Sequence, residues 1–248
     1  RPAGMRLADA TWTDVRDADA DLAVLPVGST EGHGPHAPLG TDAFTAEAVA
    51  DAGADAYESE SGETVLVAPT IPVGISEEHR AFDGTLWVSP DTFRSYVRET
   101  VESLAGGDGP DAVVLVNGHG GNTDALREVA ARLTRDEVAR VAPFTWFEAV
   151  GEHSSDMGHA GPLETAFLRH EDPDLVREDR VEEAREHGSD RWGDWVSGVN
   201  LAVDSDEFTE NGVVGDPSEG DAERGEELKE LATAALEELL DALAERSA

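Results

Sequence analysis

The chain of 248 residues has no cysteine, a single lysine and no long apolar run. Without cysteine it has neither disulfides nor thiolate metal ligands. Without a run of about 18 apolar residues it has no ordinary transmembrane helix. With 18 basic residues against 54 acidic ones its net charge is −36, so it lacks the basic surface that binds phosphate backbones. We therefore expect neither nucleic acid nor a membrane as a partner.

The excess of acidic residues has two interpretations. A strongly acidic chain can be disordered, but 39% of these residues are hydrophobic, including 5 Trp and 7 Phe, which is enough for a core. Of the 18 basic residues, 17 are Arg and only Lys229 is a lysine. Abundant carboxylates with almost no lysine indicate adaptation to a salt-rich cytoplasm, where salt screens the self-repulsion. Because no charged-then-apolar signal segment opens the sequence, we expect a cytoplasmic protein of haloarchaeal type.

The apolar pattern predicts strands that alternate with helices. The length favours a single domain over residues 1–248, of which residues 1–4 have the character of an appendage. Continuous apolar runs predict strands at residues 22–29, 64–69, 111–116 and 141–147. Helical patterns occupy residues 43–57, 91–104, 123–133, 162–169 and 221–246. Because strands of this kind are covered on both faces, we predict an α/β fold, a three-layer α/β/α sandwich with a mainly parallel central sheet.

Two of these helices and one further segment carry more specific signals. Ser89 followed by Pro90 predicts the N-cap and first residue of a helix. Residues 181–220 are poorly patterned, so we predict a long loop there, near a site or a subunit contact. Within it, Trp192 and Trp195 are interpreted as packing residues rather than as a substrate cage. The last helix is predicted to bury one apolar face, formed by Leu228, Leu231, Ala235, Leu239 and Leu243.

Residues that can bind metals follow the predicted strands. Glu31 and His33 follow the first strand and point the same way if the segment is extended. Asp42 comes after a turn rich in Pro and Gly, and His119 lies in a Gly-rich loop after the third strand. Ligands of open α/β sheets bind at the carboxyl ends of the strands, and carboxylates with imidazoles suit Zn, Mn or Fe. Alternatively, Glu31 and His33 form a surface pair, and residues 117–122 form a plain turn or an anion-binding helix start.

Five segments resemble the signature of the creatininase family of amidohydrolases. They are residues 26–42 (PVGSTEGHGPHAPLGTD), 74–79 (GISEEH), 82–85 (FDGT), 117–122 (NGHGGN) and 159–165 (HAGPLET). The resemblance implies a creatininase-like α/β/α domain with a dinuclear metal centre. It also implies a homo-oligomer, often a hexamer built from dimers.

By position, the resemblance implies that Glu31, His33, Asp42 and His119 are metal ligands. Asp42 would bridge two divalent ions, with Zn expected and Mn or Fe as alternatives. His159 would be the acid/base residue that exchanges a proton with the substrate.

Two departures from creatininase proper argue against creatinine as the substrate. That enzyme has a glutamate ligand two residues after its third-loop histidine, whereas this sequence has Gly121. We expect Glu164, which lies close to His159, to supply the missing carboxylate. Creatininase also has a tryptophan that closes over creatinine, and residues 154–156 replace it here.

The expected activity is hydrolysis of a non-peptide C–N bond in a small amide, either a cyclic amide or a formamide, by a hydroxide held between two metal ions. Glu78, His79 and Asn122 are predicted substrate contacts. The family's substrates include creatinine, a modified peptide and a formylaminopyrimidine ribonucleotide that is deformylated in archaeal riboflavin and deazaflavin synthesis. The halophilic composition favours the deformylase. The phosphate of its nucleotide substrate would contact Arg80 and the turn at Asn122. Creatinine amidohydrolase and a non-catalytic binding or assembly module are the alternatives.

Overall fold

A computed structural model describes residues 4–247 of the chain, and nothing of the Ser247 side chain. The predicted appendage lies outside this range except for Gly4. The strands are β1 (Met5–Arg6), β2 (Leu22–Val27), β3 (Val65–Val67), β4 (Ala112–Asn117), β5 (Arg140–Thr145), β6 (Trp195–Val196) and β7 (Val199–Asn200). The helices are α1 (Trp12–Ala18), α2 (Thr41–Ser61), α3 (Pro90–Leu104), α4 (Thr123–Arg135), α5 (Pro162–Glu171), α6 (Val181–Glu186) and α7 (Ala222–Ser247).

The central sheet has five strands in the order β1-β3-β2-β4-β5, and every neighbouring pair is parallel. β2 and β4 pair along their whole length, from Leu22 opposite Ala112 to Val27 opposite Asn117. Their carboxyl ends therefore lie side by side, and the residues that follow them meet at one edge of the sheet. This is also where the chain order reverses, since β2 connects to β3 on one side while β4 lies on the other. Ligands bind at such a switch point in open α/β sheets.

Alternate residues of the strands enter two separate cores. Val24 and Val114 pack on one face with α2, α5 and α7, whereas Leu25 and Leu115 pack on the other face with α3 and α4. All six residues of β2 and of β4 are buried, because helices cover both faces. The predicted three-layer α/β/α sandwich with a parallel sheet is confirmed.

The predicted start of α3 is also confirmed, since Pro90 is its first residue and the Ser89 side chain accepts a hydrogen bond from the Thr92 amide. The β6–β7 hairpin is antiparallel and separate from the main sheet. Within residues 4–247, no helix combines the length and the apolar character needed to cross a bilayer.

The apolar face predicted for the last helix is wrong in part. Leu231 is 38% exposed. The side chains of α7 that are buried are Leu228, Ala232, Leu236, Leu240 and Leu243. A helix rich in Leu and Ala has two adjacent apolar stripes. Which of the two is buried depends on the residues that pack against the helix. Here Gly53 of α2 decides, because a Cβ at that glycine would lie 2.4 Å from the Leu236 side chain.

Residues 181–220, predicted as a long loop, contain α6 and the β6–β7 hairpin. The segment also reaches the carboxyl edge of the sheet. The amide of His159 donates to the carbonyl of Val214 at 3.0 Å, and the amide of Val214 donates back at 2.8 Å. The segment therefore forms part of the wall around the candidate site.

Candidate metal centre and active site

The first candidate ligands lie where β2 and β4 end. Glu31 follows β2, His119 follows β4, and Asp42 lies in the first turn of α2. Two glycines let α2 start close to both strand ends. A Cβ at Gly28 would lie 2.4 Å from the backbone of α2, and one at Gly118 would lie 2.2 Å from the backbone oxygen of Asp42. This close approach places the Asp42 carboxylate between the loops that follow the two strands.

Asp42 lies between two groups of candidate ligands. Its Oδ1 is 3.0 Å from Nε2 of His33, and its Oδ2 is 3.2 Å from Nδ1 of His119. Oε1 of Glu31 is 3.1 Å from the same His119 nitrogen, while Oε1 of Glu164 is 3.7 Å from His33 Nε2. Each of the five residues is at most 5% exposed. The structure thus brings all five predicted ligands together, as two groups that share Asp42.

Three imidazoles are held by backbone carbonyls on the side away from the carboxylates. The bonds join His33 Nδ1 to Glu31 O (3.1 Å), His119 Nε2 to Ile75 O (2.7 Å) and His159 Nε2 to Gly32 O (2.7 Å). Because a carbonyl oxygen only accepts, each of these nitrogens carries the hydrogen. In the neutral ring the other nitrogen then has a free lone pair. For His33 and His119 that nitrogen faces the cluster, as in a metal-binding histidine.

The three buried carboxylates of this cluster (Glu31, His33, Asp42, His119 and Glu164) favour positive charge on their neighbours. Burial lowers the pKa of His33, but the carboxylates of Asp42 and Glu164 outweigh burial and raise this pKa well above its ordinary value. The pKa of His119 is also raised well above its ordinary value, since Glu31 and Asp42 outweigh burial. Burial raises the pKa of Glu31, yet the surrounding imidazoles hold it well below the usual range. Protons on the imidazoles, or bound cations, must balance the buried negative charge.

Several atoms of the cluster make no hydrogen bond of good geometry among the described residues, although most of them lie near an ionisable neighbour. They are Oε1 and Oε2 of Glu31, Nε2 of His33 and Oδ2 of Asp42. A buried polar atom without a partner costs about 1–3 kcal/mol, so four of them in one place indicate a missing ligand. Glu31, His33 and Asp42 offer ligand atoms within 4.8 Å of one another. Carboxylates and imidazoles without thiolates fit Zn, Mn or Fe.

His159, the predicted acid/base residue, lies beside the cluster. Its Nδ1 is 3.6 Å from Oε1 of Glu31, and its ring centroid is 4.3 Å from that of His33. Burial lowers the pKa of His159, and the charge of the neighbouring His33 lowers it further. The ring is therefore neutral at pH 7 and can accept a proton on Nδ1.

The three predicted substrate contacts occupy different places. Glu78 lines the cavity, and burial raises its pKa. His79 is fully buried, with its ring centroid 4.2 Å from that of His159, and burial lowers its pKa to about 2. Asn122 is also fully buried, and its amide bonds to backbone groups of two neighbouring loops at 3.0 Å each. The geometry gives Asn122 a positioning role in place of the predicted substrate contact.

A cavity of about 690 Å³ opens onto the cluster, and His119, His159 and Glu164 form part of its wall. Trp192 lines it as well, with its ring centroid 6.0 Å from that of His159. Sequence reasoning did not place Trp192 at this wall. The sequence offered one signal for this position, a tryptophan in a segment rich in Gly and Asp. That segment has no periodic pattern from which its place at the edge of the sheet could be predicted.

Comparison with known proteins decides the family. Residues 8–240 match the family model for creatininase, described as creatinine amidohydrolase. The chain belongs to the creatininase family. The mycofactocin precursor peptide peptidase of Mycolicibacterium smegmatis is 32% identical over 209 residues, which cover 84% of this chain and 79% of that protein.

A second peptidase of the same name, from Mycobacterium ulcerans, is 37% identical over 175 residues, or 69% of this chain. The match spans 64% of that relative's own length. A crystal structure of creatininase has a TM-score of 0.78 at 21% identity and covers 96% of each chain, which shows a shared fold. Creatininase structures described as zinc–zinc and manganese forms have the same fold, each with a TM-score of 0.77.

Gly121 stands where the family resemblance implies a glutamate ligand in creatininase proper. A Cβ at Gly121 would lie 2.3 Å from the carbonyl oxygen of Ile75 and 2.6 Å from Nε2 of His119. No side chain fits beside the hydrogen bond between those two atoms. Glu164 offers a carboxylate from α5, where its Oε2 accepts from the Ala160 amide at 2.6 Å and its Oε1 faces the cluster. The use of Glu164 in place of the missing ligand stays a prediction.

Two more histidines of the predicted loops lie outside the metal cluster. His36 is fully buried, and its Nε2 is 2.9 Å from Oγ1 of Thr165. Burial lowers the pKa of His36 to about 4. It ties the loop after β2 to α5, next to Glu164. His153 is half-buried near Glu227, at 3.4 Å, and does not join the cluster.

Proposed function

We propose that this member of the creatininase family is a metal-dependent hydrolase that cleaves a non-peptide C–N bond in a small amide. The observation that carries the proposal is the position of Asp42. One of its carboxylate oxygens faces His33 and the other faces His119. A carboxylate placed in this way suits a bridge between two divalent ions. Glu31 and His119 would hold one ion, and His33 and Glu164 the other.

When bound, the two ions supply a nucleophile at neutral pH and polarise the amide carbonyl. The residues of the chain hold those ions and handle the proton. His159 keeps the hydrogen on Nε2, because that nitrogen donates to Gly32 O. Nδ1 therefore accepts a proton and passes it to the departing nitrogen, which contributes about 10²–10⁴-fold in rate. Trp192 lies at the cavity wall beside His159.

A non-catalytic binding or assembly module is the alternative from another class. Such a module has no need for four buried ligand atoms without partners. It also has no need for a neutral histidine at the edge of a cavity that opens onto them. These features favour an enzyme.

Two kinds of substrate lie within the proposal. The archaeal formylaminopyrimidine-ribonucleotide deformylase is one candidate activity, and creatinine amidohydrolase is another. The peptidase name of the two mycobacterial relatives indicates a competing activity outside the proposal, the cleavage of a peptide bond. The contacts expected for a phosphate lend the deformylase no support, since Arg80 pairs with Asp204 at 2.6 Å and Asn122 is buried. We also expect a homo-oligomer, a hexamer by resemblance, which light scattering tests.

An activity screen in high salt tests the proposal. Protein loaded with Zn, Mn or Fe is incubated with creatinine, a formylated aminopyrimidine nucleotide, simple formamides, cyclic amides and short peptides. We expect hydrolysis of at least one non-peptide amide, with loss of that activity in Glu31→Ala, in His119→Ala and after chelation. His153→Ala is the control, because it removes a histidine outside the cluster. Activity that survives both cluster variants, or no hydrolysis by protein with two bound ions, would contradict the proposal.

A further inference from the structure

We propose that Arg191 forms a subsite for a carboxylate group of the substrate. This inference rests on the proposed hydrolytic function, since it names the class of amide that the site takes. Arg191 and its neighbour Trp192 line the same cavity as His159. Arg191 is the one Arg or Lys on that wall among the described residues.

Arg191 also has no ionic partner, unlike other arginines near this part of the chain. Arg80 lies 2.6 Å from Asp204, and Arg224 lies 2.7 Å from Asp156. Within residues 4–247, no carboxylate pairs with the Arg191 guanidinium. Potential partners share the cavity wall, which includes six acidic residues: Glu78, Asp156, Glu164, Asp190, Asp216 and Glu219. In a chain with 54 acidic residues, an arginine that stays unpaired on such a wall has its donors available for a ligand.

The backbone that carries Arg191 is held in register with the catalytic edge. His159 and Val214 exchange hydrogen bonds in both directions, at 3.0 and 2.8 Å. The amide of Gly215 donates to the carbonyl of Ser189 at 2.9 Å, and the Ser189 hydroxyl donates to the carbonyl of Arg191 at 2.7 Å. A short series of hydrogen bonds thus connects Arg191 to His159. A substrate group bound at Arg191 is thereby positioned relative to the reacting bond.

The charge of the cavity determines the class of ligand. Carboxylates on the wall repel anions in general, so an anionic group binds where a cation outweighs them. A guanidinium binds a carboxylate through two parallel hydrogen bonds. A single guanidinium on a wall with six carboxylates suits a group with one negative charge better than a phosphate with two. The geometry therefore favours amides that carry a carboxylate on the part of the molecule that is not cleaved.

Calorimetric binding of three matched probes tests the subsite. N-acetylglycine, N-acetylglycinamide and N-acetylaminoethyl phosphate share an acetamide and differ in the end group. They are titrated at constant ionic strength into chelated protein and into zinc-loaded protein. We expect N-acetylglycine to bind about tenfold more tightly than either other probe. Arg191→Gln should reduce this preference to about one, whereas Arg135→Gln, which removes an unpaired exposed arginine of α4, should leave it unchanged.

Three results would overturn the subsite. They are equal or undetectable binding of the carboxylate probe, tighter binding of the phosphate, and a preference that survives Arg191→Gln. A preference that disappears on chelation but not with Arg191→Gln assigns the carboxylate to the metal ions instead. Hydrolysis of amides with the same selectivity in Arg191→Gln contradicts the subsite alone. Carboxylate binding that depends on Arg191, without hydrolysis of any amide, contradicts the proposed function alone.

Discussion

The carboxylates of this chain occupy two regions that behave in opposite ways. In the candidate metal centre, Glu31, Asp42 and Glu164 are at most 3% exposed and face imidazoles. On the helical surface, Glu102 is typical, since it lies 2.7 Å from Arg98 with 37% of its side chain exposed. Buried charges need fixed partners, whereas water and salt stabilise the surface ones. The net charge of −36 is therefore a property of the surface, and the proposed chemistry depends on three of the 54 acidic residues.

Substituting one carboxylate from each region tests the difference between the regions most directly. Asp42→Asn removes the charge between His33 and His119, so we expect hydrolysis to fall by more than about a hundredfold, beyond the 10–100-fold typical of residues that only support metal ligands. Glu102→Gln should leave activity unchanged and alter the free energy of unfolding by at most about 1 kcal/mol. Steady-state kinetics and urea unfolding measure the two effects. Equal loss of activity in both variants would mean that burial does not distinguish the regions.

A pair of adjacent glycines tests how tightly the cluster is built. In Gly121→Ala the new Cβ would meet Ile75 O and His119 Nε2, so we expect metal affinity to fall by about 10–100-fold. Gly120→Ala is the matched control, because nothing lies within 4 Å of a Cβ at that position. Metal titration with a competing chelator gives both affinities. If the two variants bind metal equally well, the account of why Gly121 lacks a side chain is wrong.

The pH dependence of stability contrasts a buried histidine with an exposed one. Since burial lowers the folded pKa of His36 to about 4, below the ordinary value of 6.5, folding disfavours its protonation. Its effect is absent above about pH 6.5 and destabilises the fold progressively as the pH falls toward 4, by roughly 3 kcal/mol.

We expect His36→Gln to flatten the curve of unfolding free energy against pH between 4 and 6.5. His187→Gln, which changes an exposed histidine beside Glu210, is the matched control. Urea unfolding in chelator measures both variants without any contribution from bound metal. Parallel curves for His36→Gln and the wild type would contradict the assignment.

Repulsion between surface carboxylates is expected to have the smallest effect per residue on the free energy of unfolding, although the effect summed over the surface is large. Salt shortens the Debye length from about 10 Å at 0.1 M to about 3 Å at 1 M, so the free energy of unfolding should rise as KCl is added. Because the cluster is buried, chelated and metal-loaded protein should show the same slope. Thermal unfolding at several KCl concentrations measures it. A protein that is stable in dilute buffer and unfolds in molar KCl would not be adapted to salt.

Much of the fold could be predicted because its signals are local. The apolar runs of β2 and β4 and the Ser89 cap of α3 each follow from a few consecutive residues. The buried face of α7 could not be chosen in this way, since it depends on Gly53 of a distant helix. The structure of residues 181–220 was also out of reach, because the bridge between Val214 and His159 joins segments with no shared pattern.

In the candidate site, too, some residues could be predicted from the sequence and others could not. Glu31, His33, Asp42 and His119 could be proposed from their loops and from the family resemblance, because parallel strands end at one edge. The buried position of Asn122 could not, since its amide bonds depend on how two loops fold over β4. Arg191 and Trp192 were beyond prediction for a related reason, because residues 181–220, which contain both, carry no motif.

The central claim is that Asp42 bridges two metal ions inside the cluster. X-ray diffraction at the zinc absorption edge, on crystals of the zinc-loaded protein, tests it most directly. The account predicts two anomalous peaks per chain, about 3.5–4 Å apart, one beside each oxygen of Asp42. The peak between Asp42, Glu31 and His119 should be distinct from the one near His33 and Glu164. No peak in the cluster, or a single peak that Asp42 does not contact, would contradict the claim.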